Sequence, residues 1–121
     1  MIEKIKDLEV IARQLDPSER QRSNWTEKVT SYTNEYLDNI SELNAYQPDS
    51  SSATALDEYP INENGYPIET LIELVRNSVD KPGINPASGG HLGYIPGGGL
   101  YPSALGDLMA DVSNQYAGIH F

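Results

Sequence analysis

Between Ile84 and Tyr101, eight of 18 residues are glycine or proline, and this stretch constrains the possible folds more than any other. Glycine raises the entropic cost of ordering the backbone and proline removes an amide donor, so no helix or central strand can run through it. Residues 45–66 impose a second break, with Pro48, Asp49, the Ser50-Ser51-Ser52 run, Pro60 and the turn dipeptide Asn64-Gly65. They read as a linker or an extended crossing. Regular structure is therefore confined to the windows on either side.

Those windows carry helical periodicity. Ile2, Ile5, Leu8, Ile11, Ala12 and Leu15 recur at spacings of three and four, one stripe of a short helix over 2–15. Asp16-Pro17-Ser18-Glu19 reads as a fresh start, with Asp16 as cap, Pro17 in the first turn and Glu19 at the capping-box position. Trp25, Val29, Tyr32, Tyr36, Leu37, Ile40 and Leu43 then share one face of a long helix. Pro67 opens another, aligning Ile68, Leu71, Ile72, Val75 and Val79 and stopping before Pro82-Gly83. Pro102 opens a last one, with Ala104, Leu105, Leu108, Met109 and Val112 on its apolar side. The fold class is mostly α. Long irregular connections fit a compact bundle poorly, so the stripes are expected to pack on another chain or on a further part of this one.

Charge narrows the partners. Eighteen acidic residues against eight Lys and Arg give a net charge of −10, which disfavours nucleic acid and anionic membrane surfaces. Residues 47–80 hold seven acids and a single base, Arg76, while 81–121 hold only Lys81, Asp107 and Asp111. A nearly neutral, glycine-rich end suits either an interface-facing segment or an ordinary loop-rich region. Eight tyrosines against one Phe and one Trp suggest half-buried rings with wet hydroxyls rather than a deep core. With no cysteine, disulfides and thiolate chemistry are excluded. No apolar run reaches membrane-spanning length and the first residues mix both charge signs, so a cytoplasmic chain is expected.

Motifs for self-sufficient catalysis are missing. Gly97-Gly98-Gly99 precedes a helix start, yet no GK[ST] follows and GxGxxG is not matched, so a turn forced by packing outweighs a phosphate cradle. His91 and His120 lack metal-ligand spacing and read as structural. Asp107 and Asp111, four apart, suit a solvated face better than a cation site. The sequons at Asn24 and Asn39 fall in helical sequence and read as chance matches. No serine sits in a GxSxG elbow.

One string goes further. His91-Leu92-Gly93-Tyr94-Ile95-Pro96-Gly97-Gly98-Gly99-Leu100-Tyr101-Pro102-Ser103-Ala104-Leu105-Gly106-Asp107, continued by Asn114-Gln115-Tyr116-Ala117-Gly118, resembles a segment of group II pyridoxal-phosphate decarboxylases. This family includes the aromatic amino-acid, glutamate and diaminobutyrate enzymes. The shared pattern is an aromatic residue, a proline, small residues, aromatic-proline, then Leu-x-Asp. The order of upstream elements is similar too: a long amphipathic helix, an acidic crossing and a second helix ending before the loop.

The resemblance implies the N-terminal part of a fold-type I enzyme, a lyase converting an L-amino acid to an amine and carbon dioxide. Residues 1–83 would form a helical segment that dimerises with its counterpart or packs on the remainder of the enzyme. Residues 84–121 would supply a substrate-side loop and the first helix of the cofactor domain. By resemblance, Tyr94, Ile95, Pro96 and Gly97 line the amino-acid pocket, and Tyr116 and Gly118 face the partner subunit's active site. Ile95 and Gly97 depart from the bulky and hydroxyl residues common in aromatic-substrate members, which leaves the substrate open. Pyridoxal 5'-phosphate would act as the electron sink. Its lysine, the aspartate on the pyridine nitrogen and the stacking histidine lie further along the family chain, so no catalytic residue is assigned and the segment alone is expected to be inactive. The competing reading is an independent acidic helical interaction module whose glycine loop is only a turn.

Overall fold

The computed structural model describes residues 2–48, 55–93, 97–115 and 118. Helix α1 (Ile2–Ala12) runs into a 3-10 turn, Arg13–Leu15, and α2 (Glu19–Asp38) follows after a short extended step. A second 3-10 turn, Ile40–Glu42, leads to β1 (Tyr46–Gln47), and a third spans Ala55–Glu58. Helix α3 (Ile68–Val75) widens into a π turn, Arg76–Asp80, before β2 (Gly83–Ile84). The last helix, α4, spans Tyr101–Ser113. The described chain is thus mostly helical, as its periodicity predicts, and none of its helices is long and apolar enough to cross a membrane.

The start of α2 lies two residues later than the Asp16-Pro17 signature suggests. Ser18 is the cap: its Oγ accepts from Gln21 N at 3.4 Å, and its own N–H donates to Gln21 Oε1 at 2.9 Å. Asp-Pro-x-Glu and Ser-x-x-Gln overlap here, and the second closes both hydrogen bonds of a capping box. At the other end of the chain the expected break holds. Pro102 lies in the first turn of α4, where its missing N–H costs nothing, and Asn114 ends the helix at a left-handed φ of 41°.

Elements predicted as irregular hold one ladder. Tyr46 pairs with Ile84 and Gln47 with Gly83 in an antiparallel two-residue sheet. Gly83 takes a φ of +83°, a conformation that favours glycine directly after Pro82. The ladder brings the exit of α2 against the exit of the π turn, although some 37 residues separate them in sequence.

Helices α2 and α3 pack together through only part of the stripes read from sequence. Tyr32 and Tyr36 are half-buried there, whereas Trp25, Val29 and Leu37 stay 40%, 44% and 38% exposed. On α3, Ile68, Ile72 and Leu74 are half-buried, and Leu71 and Val75 are exposed, as is Val79 in the π turn. No apolar side chain among the described residues is buried, and the buried side chains are Ser78, Asn85 and Ser88. Helix α1 packs substantially on nothing but its own 3-10 continuation, and every described residue of α1 and α4 is exposed. Among the described residues the stripes of α1 and α4 are uncovered, and those of α2 and α3 are only half covered.

Candidate functional site

Polar groups hold the α2–α3 seam. Along α2, Lys28, Tyr32, Glu35 and Tyr36 follow one another at helical spacing and each meets a residue from 69–85. Lys28 pairs with Glu69, and the Tyr32 hydroxyl donates to Asp80 Oδ2. Arg76 Nη1 and Nη2 donate to the two carboxylate oxygens of Glu35 at 2.7 and 2.8 Å, a bidentate fork. The same guanidinium lies 4.8 Å from the Tyr32 ring centroid, and its Nε stands 3.3 Å from Glu73 Oε1. The Tyr36 hydroxyl reaches Asn85 Oδ1 at 3.2 Å. A cleft of about 560 Å³ opens along this seam, with Tyr32, Tyr36, Leu43, Arg76, Asp80 and Asn85 in its lining.

The electrostatics follow from those contacts. Hydrogen bonds from Arg76 hold the Glu35 carboxyl below its ordinary range. The bond to Glu35 in turn fixes the Arg76 charge more firmly. Burial, then the hydrogen bond to Asp80 and its charge, push the Tyr32 hydroxyl well above the ordinary tyrosine range. A neutral phenol held by a carboxylate and an arginine held by two offer no poised base or nucleophile. The cleft follows the polar α2–α3 seam. Periodicity did not reveal it, although the lone base in an acidic 47–80 stretch was a signal that Arg76 would be claimed by carboxylates.

The expected substrate-side residues lie elsewhere. None of the described residues of the Gly93–Gly118 stretch lines that cleft. Gly97 is exposed, with no heavy atom within 4 Å of where a Cβ would stand, and Gly118 is also exposed. Tyr94, Ile95, Pro96 and Tyr116 fall outside the described residues, as does His120. His91 is half-buried, and its backbone N–H donates to Ser88 O at 3.0 Å. Asp107 and Asp111 are exposed on α4, and no group of three or more residues able to hold a metal ion occurs among the described residues.

A cofactor phosphate is not accommodated at the glycine run either. Within the first turn of α4, Pro102 has no N–H, and the amides of Ser103 and Ala104 donate to Leu100 O at 2.9 and 3.2 Å. Little of the amide array that makes a helix N-terminus an anion site remains. Lys28 and Lys81 are engaged by Glu69 and Asn77. The described residues do not fit as a pyridoxal-phosphate cradle.

Sequence reasoning missed Asn85 and Ser88. Asn85 N donates to Ala45 O at 2.9 Å, and its Oδ1 accepts from Ala87 N at 3.0 Å. Ser88 Oγ donates to Leu43 O at 2.7 Å and accepts from Gly90 N at 3.2 Å. Only the Pro86-Ala87-Ser88-Gly89 turn composition hinted at them. Comparisons with known proteins add no relative: no family model, no curated protein and no solved structure matches the chain.

Proposed function

We propose that the chain is the N-terminal part of a pyridoxal-phosphate-dependent L-amino-acid decarboxylase, contributing subunit contacts and a substrate-side loop. The observation that carries this reading is the Tyr94-Ile95-Pro96-Gly97-Gly98-Gly99-Leu100-Tyr101-Pro102-Ser103-Ala104-Leu105-Gly106-Asp107 string. Two features of the structure support it. The glycine run leads directly into α4 without forming a phosphate cradle, which suits a loop that faces substrate rather than cofactor. The stripes of α1 and α4 are uncovered, which suits helices built to pack on a second subunit or on the remainder of a larger enzyme.

In this reading Tyr94 to Gly97 shape the amino-acid pocket, and Tyr116 and Gly118 approach the partner subunit's site. The cofactor's lysine is supplied from outside residues 1–121. The protein acts in the cytoplasm on a small amino acid, as a homodimer.

Reading the coding region past Phe121 and expressing the complete protein tests it. A lysine-bearing cofactor domain, the absorbance of lysine-bound pyridoxal phosphate and release of carbon dioxide from an amino acid are the expected results. A complete protein that binds no pyridoxal phosphate overturns the proposal. The acidic interaction module is favoured instead if the 121-residue chain sediments as a well-folded monomer.

A further inference from the structure

Asn64 alone among the asparagines of this chain is followed by glycine. The pair closes a turn in which Asn62 Oδ1 accepts from Asn64 N at 2.9 Å and Asn62 O accepts from Gly65 N at 3.4 Å. Both residues are exposed, and the Asn64 side chain makes no hydrogen bond among the described residues. Gly65 holds a left-handed φ of +66°, and a Cβ built on it would meet nothing within 4 Å. Its amide nitrogen therefore has open space around it and a single long, weak bond to give up.

Other asparagines are guarded. Asn77 lies in the π turn, where its side chain accepts from Lys81 Nζ at 2.7 Å and donates to Glu73 Oε2 at 3.4 Å. Asn85 precedes a proline, which has no N–H. Asn24 and Asn34 lie within α2, whose amides are committed to the helix.

The turn also closes the 59–66 loop. The Tyr66 hydroxyl donates to Pro60 O at 2.9 Å, and the Tyr59 and Tyr66 rings meet edge to face, 5.5 Å apart. Tyr59 in turn borders a groove of about 400 Å³ with Leu74 and Ser78.

We propose that Asn64 is a site of spontaneous modification, with water as co-reactant, and that its isoaspartate product opens the 59–66 loop. Gly65 N gives its proton to solvent base and bonds to Asn64 Cγ. The Cγ–Nδ2 bond breaks, and the nitrogen takes a proton from water and leaves as ammonia, so that a cyclic imide remains. Water then opens the imide at either carbonyl, to aspartate or to isoaspartate. Nothing is oxidised or reduced. Isoaspartate lengthens the main chain by one methylene inside the turn, so Asn62 and Gly65 no longer meet and the two tyrosines lose their register.

Incubation of the 121-residue chain at mildly alkaline pH, folded and in urea, followed by peptide mass analysis tests the chemistry. The folded peptide containing Asn64 should gain the mass by which an acid exceeds an amide and should separate into two species of equal mass. Urea should speed this by no more than about tenfold, the effect of one weak exposed hydrogen bond, and should speed conversion of Asn77 by a larger factor. Asn64→Gln should abolish the gain. Stronger protection of Asn64 in the folded chain, or a gain that persists in Asn64→Gln, overturns the site. For the loop, the purified isoaspartate form should exchange amide hydrogens across 59–66 about tenfold faster than Asn64→Asp, which carries the charge without the extra methylene. Equal exchange in the two overturns the opening of the loop.

Discussion

Arg76 meets two carboxylates and the face of a tyrosine ring from the first residue of a π turn. Its planar fork matches Glu35 at both oxygens, a geometry that the single ammonium of lysine cannot reproduce. Arg76→Lys should therefore weaken α2–α3 docking despite keeping the charge, seen as a lower urea midpoint by fluorescence of Trp25, the sole tryptophan. The pH dependence follows from Glu35. Its folded-state pKa is depressed, so its contribution is present above the unfolded value, about 4.3, and is lost as pH falls through the lower folded value. Glu35→Gln should lose stability at neutral pH, and its difference from wild type should shrink on acid titration. Tyr32 works in the opposite direction. Its folded pKa is raised, so stability is present below the unfolded value, about 10, and fades as pH rises further. Tyrosinate absorbance should show one late-titrating phenol that Tyr32→Phe removes.

At the scale of elements, capping and packing separate. The Ser18–Gln21 box satisfies amide groups that the first turn of α2 leaves open, so Ser18→Ala should cost about 1 kcal/mol, read by far-UV dichroism against urea. Helix α1 contributes little to the described tertiary structure. Deleting residues 1–15 should leave the α2–α3 unfolding free energy within about 0.5 kcal/mol of wild type. If the proposed decarboxylase reading holds, the same deletion in the complete protein should shift sedimentation from dimer toward monomer, because the exposed Ile2, Ile5, Leu8 and Ile11 stripe would no longer be there to pack on a second subunit. The helices themselves were legible in sequence because i, i+3, i+4 spacing and flanking prolines are local. The π turn at Arg76–Asp80 was not, since a one-residue widening leaves no periodic mark over five residues.

For the whole molecule, the absence of a buried apolar side chain among the described residues sets the energetics. The hydrophobic term scales with area removed from water, and half-exposed side chains recover only part of it. Calorimetry of the 121-residue chain should show a broad transition with an enthalpy well below the usual value of about 0.7 kcal/mol per residue. A sharp transition of ordinary enthalpy would show that the stripes find cover within the chain itself. The candidate site divides in the same way. The glycine-rich composition and the following helix could be read from sequence, but the hydrogen bonds of Asn85 and Ser88 could not, because they reach carbonyls some 40 residues earlier.

The sequence by itself determined where helices begin, where glycine and proline forbid them, and that the apolar stripes need covering. These are properties of near neighbours and of composition. Tertiary structure alone decided that Tyr32 meets Arg76 and Asp80 and that Tyr36 meets Asn85, while Trp25 and Val29 stay exposed. It also decided that Tyr46–Gln47 pairs with Gly83–Ile84. Each of these depends on which of several compatible partners closes its hydrogen bonds, a choice made between segments far apart in the chain and therefore not written in the spacing of either one.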